Sequence, residues 1–183
     1  GYTGGELIRL LLNHPEVDIA FIHSRSNPGK YIYEVHSDLL GDTDLKFTDY
    51  LIDDVDVNFL CLGHGNSRKF LEETSIPDRV SIIDLSQDFR LESGLNREFV
   101  YGLPELQREM IMEADNIANP GCFATGIQLG LLPLAKENLL QSEIQVSAIT
   151  GSTGAGQSPS ATTHFSWRSG NVSVYKAFTH RHL

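Results

Sequence analysis

Cysteine is scarce in this sequence. Cys61 and Cys122 are the only two among 183 residues, too few for a disulfide framework, so the chain needs no oxidising compartment. A reducing cytoplasm is the expected location, and it keeps a reactive thiol usable. Basic residues are outnumbered, 14 Lys and Arg against 24 Asp and Glu. The resulting formal charge of -10 argues against a general nucleic-acid surface or an anionic-membrane surface. A local pocket for a small anion remains compatible with it. Long apolar runs are missing too: none approaches the ~20 residues that span a bilayer. The chain shows no signal-peptide pattern either, so neither nucleic acid nor membrane is an expected partner. What is present, 40% hydrophobic residues, suffices for a real core.

The chain is organised around Asn119-Pro120-Gly121-Cys122-Phe123-Ala124-Thr125. Pro and Gly mark a turn, and Ile127, Leu129, Leu131 and Leu132 predict a helix from about 126 to 134, with the Cys122 sulfur in its first turn. Free N–H groups and the positive end of the helix dipole favour a thiolate there, a ready nucleophile for acyl groups. The competing reading is a buried structural cysteine. Cys61 takes that reading, as a buried small hydrophobe inside the apolar run 57–62.

Ahead of this turn the pattern is that of a dinucleotide-binding unit. Gly1-Tyr2-Thr3-Gly4-Gly5 leads into an amphipathic helix over 6–13, and such a glycine-rich opening leaves room and N–H donors for a pyrophosphate. Residues 17–22 alternate as a second strand. Where an acid for a ribose hydroxyl is usual, the chain reads Ser24-Arg25-Ser26, so a 2'-phosphate and hence NADP(H) is predicted. An ordinary polar loop is the alternative. A short strand is expected over 45–47 and a buried one over 57–62, the latter ending in Gly63 and His64. Another over 80–85 ends in Ser86, and all three of these polar residues should face the cofactor. Asp84, Asp88 and Arg90 are read as architectural. A turn at 101–105, a helix over 106–114 and a short strand over 116–118 complete the unit.

From Glu143 onward the texture changes. Residues 144–150 alternate as an antiparallel strand with one wet face, and residues 151–159 form a glycine-rich loop whose N–H groups could hold an anion or simply remain flexible. A cysteine nucleophile needs a proton carrier, and the paired His180 and His182 flank Arg181. No acid or cysteine stands at metal-ligand spacing beside them, so no metal is expected.

Several of these stretches, with Asp84-Leu85-Ser86-Gln87-Asp88-Phe89-Arg90 and Tyr101-Gly102-Leu103-Pro104-Glu105, resemble the N-acetyl-gamma-glutamyl-phosphate reductase family of semialdehyde dehydrogenases. The resemblance implies an α/β fold: a Rossmann-type doubly wound parallel sheet over 1–118 lacking its first strand, then the start of an α+β catalytic domain over 119–183. By that measure the chain is a fragment truncated at both ends, and the full-length protein is a homo-oligomer. The resemblance also implies an acyl-phosphate substrate attacked by Cys122, with phosphate released and a thioester reduced by NADPH in arginine biosynthesis. His180 or His182 would move protons, while Asn119, Gly154, Gly156 and Arg181 would hold substrate. Gly63 departs from the family, which has proline there. The rival readings are aspartyl-phosphate or carrier-linked aminoadipyl-phosphate reduction by the same chemistry, and, from another class, a non-catalytic NADP-binding sensor.

Overall fold

The chain is described by a computed structural model over residues 1–91 and 96–179. It opens with α1 (Tyr2–Leu12), followed by β1 (Ile22–His23), two short 3-10 turns, β2 (Phe47–Thr48), β3 (Val57–Leu60) and α2 (Asn66–Glu73). Then come β4 (Ser81–Asp84), β5 (Val100–Tyr101), α3 (Pro104–Met112), β6 (Asn116–Ala118), α4 (Cys122–Lys136) and the single-turn α5 (Phe165–Arg168).

All strand pairs are parallel, as strand-helix-strand alternation dictates. They form two sheets, β1-β2 and β3-β4-β6-β5. Each sheet has its own core. Ile8 of α1 packs with Ile32, Leu39 and Phe47 on the first, and Phe70 of α2 packs with Leu60 and Ile82 on the second. Between the sheets, beneath α1, lies a cleft of about 670 Å³ lined by residues 16–24 on one side and 54–62 on the other. Among the described residues no strand occupies it.

Several expectations shift. The first helix begins at Tyr2 rather than at residue 6, so of the opening glycines only Gly1 stands outside it, as the N-cap. Gly5 is needed for close approach: a Cβ there would lie 2.5 Å from Cε1 of His36. The strand expected over 17–22 narrows to Ile22–His23; the residues before it border the cleft, where no described strand pairs with them. β5 appears where the sequence showed only a turn, held by pairing with β6. No strand forms over 144–150; an antiparallel strand needs a neighbour, and none stands beside it among the described residues. Ile144, Val146 and Ile149 are accordingly exposed. Among the described residues no helix is long and apolar enough to cross a membrane.

Candidate active site

Strand register decides which loops meet. Leu60 pairs with Asp84, and Asp84 with Ala118, so three parallel strands end level and deliver their next residues to one edge. That carboxyl edge is where open α/β sheets bind ligands. The ladder continues one step further, with Leu85 N–H donating to the Leu60 carbonyl at 3.0 Å and Asn119 N–H to the Asp84 carbonyl at 2.8 Å.

After β6 the chain makes a three-residue turn. Pro120 is buried and Asn119 exposed, and the Asn119 amide nitrogen donates to the Pro120 carbonyl at 3.0 Å. Gly121 is the N-cap of α4, which makes Cys122 its first helical residue. The helix thus begins four residues earlier than the predicted 126, since Phe123, Ala124 and Thr125 carry no helix-breaking chemistry. Thr125 closes the first turn through its N–H and hydroxyl, both donating to the Gly121 carbonyl at 2.8 and 3.0 Å. No side chain caps the helix start and no acid sits in its first turn. Cys122 itself is solvent-exposed. On the far side of α4, the Tyr101 hydroxyl donates to Gln128 Oε1 at 2.9 Å, fixing the helix to β5.

Loops after β3 and β4 interlock. Asp88 accepts from the N–H groups of Gly65 and Arg68 at 2.7 and 3.1 Å, so an internal carboxylate caps α2. Desolvation pushes this carboxyl up, but those backbone donors, with the Ser67 N–H, outweigh it and hold Asp88 below the usual range. Gly63 and His64 are exposed at this edge, and His64 Nδ1 accepts from the Gln87 N–H at 3.1 Å. Ser86 turns inward. It is 1% exposed, and its hydroxyl donates to Asp84 Oδ2 at 2.6 Å while accepting from the Asp88 N–H at 3.0 Å. Its side chain serves the loop.

Toward the start of α1, Gly1, Gly4, His23, Ser24 and Asn27 line the cleft between the sheets. The start of α1 has neither a side-chain cap nor a first-turn acid, leaving its N–H groups suited to a pyrophosphate. Tyr2, Thr3, Arg25 and Ser26 are exposed. Gly154 and Gly156 are exposed on the later glycine-rich loop, which reaches this end through Gln157: a Cβ on Gly1 would lie 3.9 Å from Gln157 Oε1. Cys122 does not line the cleft. His180, Arg181 and His182 lie outside the described residues. Among the described residues no cluster of His, Cys, Asp and Glu could hold a metal.

Cys61, expected buried, is exposed, because the stretch carrying it borders the open cleft. Enough protein still surrounds the sulfur that desolvation pushes the thiol up to about 11, and Asp84 adds to the rise. At pH 7 fewer than about one Cys61 in a thousand is thiolate. Iodoacetamide at that pH is therefore expected to label Cys122 and spare Cys61, read by peptide mass mapping. Equal labelling would contradict it.

Asp88 and Arg90, read as architectural, do hold loop backbone, while Arg97 was not singled out in the sequence. Only Gly121, a glycine immediately before the cysteine, hinted that a neighbour approaches closely there.

Comparison with known proteins adds two findings. A family model described as "Semialdehyde dehydrogenase, NAD binding domain" matches residues 1–114, and one described as "Semialdehyde dehydrogenase, dimerisation domain" matches residues 122–183. Curated relatives named N-acetyl-gamma-glutamyl-phosphate reductase match the whole chain. The one from Parabacteroides distasonis is 59% identical, with 57% of its own length covered. Those from Azobacteroides pseudotrichonymphae and Christiangramia forsetii are 60% and 55% identical, with 58% and 57% of their lengths covered. The chain thus spans somewhat over half the length of these relatives.

Proposed function

The chain belongs to the semialdehyde dehydrogenase family, and we propose that it forms part of an NADPH-dependent N-acetyl-gamma-glutamyl-phosphate reductase of arginine biosynthesis. The observation that carries this reading is the placement of Cys122 as first residue of α4, exposed, at the carboxyl edge shared by β3, β4 and β6. Relatives bearing the reductase name share 55–60% of its residues.

In this reading the Cys122 thiolate adds to the acyl carbon of the substrate. The carbon–oxygen bond to phosphate then breaks, leaving a thioester on the sulfur. NADPH, when bound, supplies the hydride that converts the thioester carbon to an aldehyde. Cys122 leaves with the electron pair of the carbon–sulfur bond and regains its starting state. Proton transfer is assigned to His180 or His182, and substrate anion binding to Arg181 with Asn119, Gly154 and Gly156, on sequence pattern. The uncapped start of α1 and the Ser24-Arg25-Ser26 segment suit a dinucleotide.

NADP preference rests on Ser24-Arg25-Ser26. In the full-length protein, Arg25→Ala is expected to raise KM for NADPH about ten- to a hundredfold while moving that for NADH less than about threefold. Equal changes would remove the assignment. The dimerisation-domain match over 122–183 supports a homo-oligomer for the whole protein, and a biosynthetic thiol enzyme suits the cytoplasm. Phosphate-dependent reduction of NADP+ by N-acetylglutamate semialdehyde tests the substrate. Preference for aspartate semialdehyde or a carrier-linked aminoadipate semialdehyde would redirect the reading within the family.

A further inference from the structure

Arg90 follows directly on a rigid support. Phe89 is 2% exposed and stacks on Phe99 with ring centroids 4.2 Å apart, while Asp88 is bound to the start of α2. From this base the Arg90 guanidinium reaches across two strand ends. Its Nε donates to the Asn119 carbonyl at 2.8 Å, just past β6, and its Nη2 to the Leu85 carbonyl at 3.2 Å, just past β4. The third nitrogen lies against the residue before the cysteine: a Cβ on Gly121 would stand 2.8 Å from Nη1 and 3.6 Å from Cζ. Glycine at 121 is what lets the planar fork settle there.

We propose that Arg90 is a positioning residue for Cys122, a brace that fixes the 119–121 turn to the sheet edge and so sets where the thiol stands. Three features support it. A guanidinium offers its donors in a fixed plane, so two carbonyls on different strands are held at one separation. The turn has little freedom left, because Pro120 fixes its own φ and Asn119 and Gly121 are both in contact with the fork. The guanidinium sits beside the N-cap of α4, one residue before the thiol, so any shift of the fork moves the start of the helix that carries Cys122. Lysine would supply charge but could reach only one carbonyl at a time. Where turnover is concerned the inference rests on the reductase reading; the thiol geometry does not.

The test uses full-length Arg90→Gln, Arg90→Lys and Gly121→Ala, each checked for folding by thermal melt. In R90Q, kcat is expected to fall about thirty- to a hundredfold with KM for NADPH within about twofold, the cost of a misplaced attacking group. Alkylation of Cys122 by iodoacetamide at pH 7 should change about threefold or more, because the turn that carries the thiol is released from the sheet edge. R90K should lose about tenfold in kcat. G121A, whose Cβ displaces Nη1, should lose kcat about tenfold as well and carries the test if R90Q does not fold. Wild-type kcat in folded R90Q or G121A, or full kcat in R90K, would overturn the brace. So would unchanged pH 7 alkylation in folded R90Q. If the wild-type protein reduces no acyl phosphate, the reductase reading fails, and the alkylation rates still decide whether Arg90 acts on Cys122.

Discussion

Alanine at position 122 of the full-length protein is expected to lower kcat at least about ten-thousandfold, the scale on which a lost covalent nucleophile is felt. The expectation follows from how the site is built. Among the described residues the only other thiol, Cys61, stands on the cofactor side of the sheet edge and is held protonated by its surroundings, with a pKa of about 11. It cannot take over at neutral pH. The start of α4 would still bind anions through its free N–H groups, so substrate affinity should change little while turnover collapses. NADPH binding should also be unaffected, since Cys122 is not among the residues assigned to the cofactor. Steady-state kinetics together with a cofactor titration check both halves. Serine should recover little, because a hydroxyl in the first turn of a helix is far less ionised than a thiol.

The second large effect lies at the opposite edge of the sheet and touches stability. Arg97 Nη2 donates to the carbonyls of Ile76 and Pro77 at 2.6 and 3.0 Å. Its Nη1 donates to Asn116 Oδ1 at 3.2 Å and more weakly to the Val80 carbonyl at 3.4 Å. Asn116 in turn donates to the Glu98 carbonyl at 3.2 Å. These groups tie the approach to β5 to the starts of β4 and β6. Arg97→Ala leaves several acceptors in a mostly buried place without donors, a loss of about 2–4 kcal/mol. For a domain of this size the melting temperature should drop by roughly 5–12 °C. The exposed ion pair with Asp78, 3.4 Å away, contributes little to that loss. A folded R97A protein at low temperature should retain its Cys122 reactivity, which separates this edge from the catalytic one. A shift of less than about 2 °C would mean that the carbonyls find other partners.

Legibility from the sequence followed the range of the interactions. β6 was read residue for residue, and the buried strands ending at Leu60 and Asp84 were found within a residue or two, because short apolar runs bounded by turn residues carry their own signal. Helix starts were read late at Tyr2 and at Cys122. Glycine and proline dominated the reading there, whereas the backbone needs only one non-helical residue before the first turn. The stretch over 144–150 alternates correctly for a strand, yet alternation specifies a face and cannot supply a neighbour. Cys61 was misjudged for a related reason: its run is apolar, but burial depends on what fills the cleft beside it. Ser86 was assigned outward from its place at a strand end, while its hydroxyl turns inward to Asp84. The long-range links made by Arg90 and Arg97 span up to 29 residues in sequence and leave no local pattern. The cysteine turn was legible because its chemistry is local: a proline, a glycine and a thiol in three consecutive positions.

The central claim, that Cys122 carries the acyl group, is tested most directly by trapping it. Full-length protein is incubated with N-acetylglutamate semialdehyde and NADP+ in the absence of phosphate, quenched in acid, digested and mapped by mass spectrometry. With no phosphate to accept the acyl group, the thioester formed by hydride loss should accumulate. The account predicts one N-acetylglutamyl group on the peptide containing Cys122, lost again when phosphate is added before the quench. Formation of NADPH with no adduct at Cys122, or with the adduct at Cys61, would contradict it.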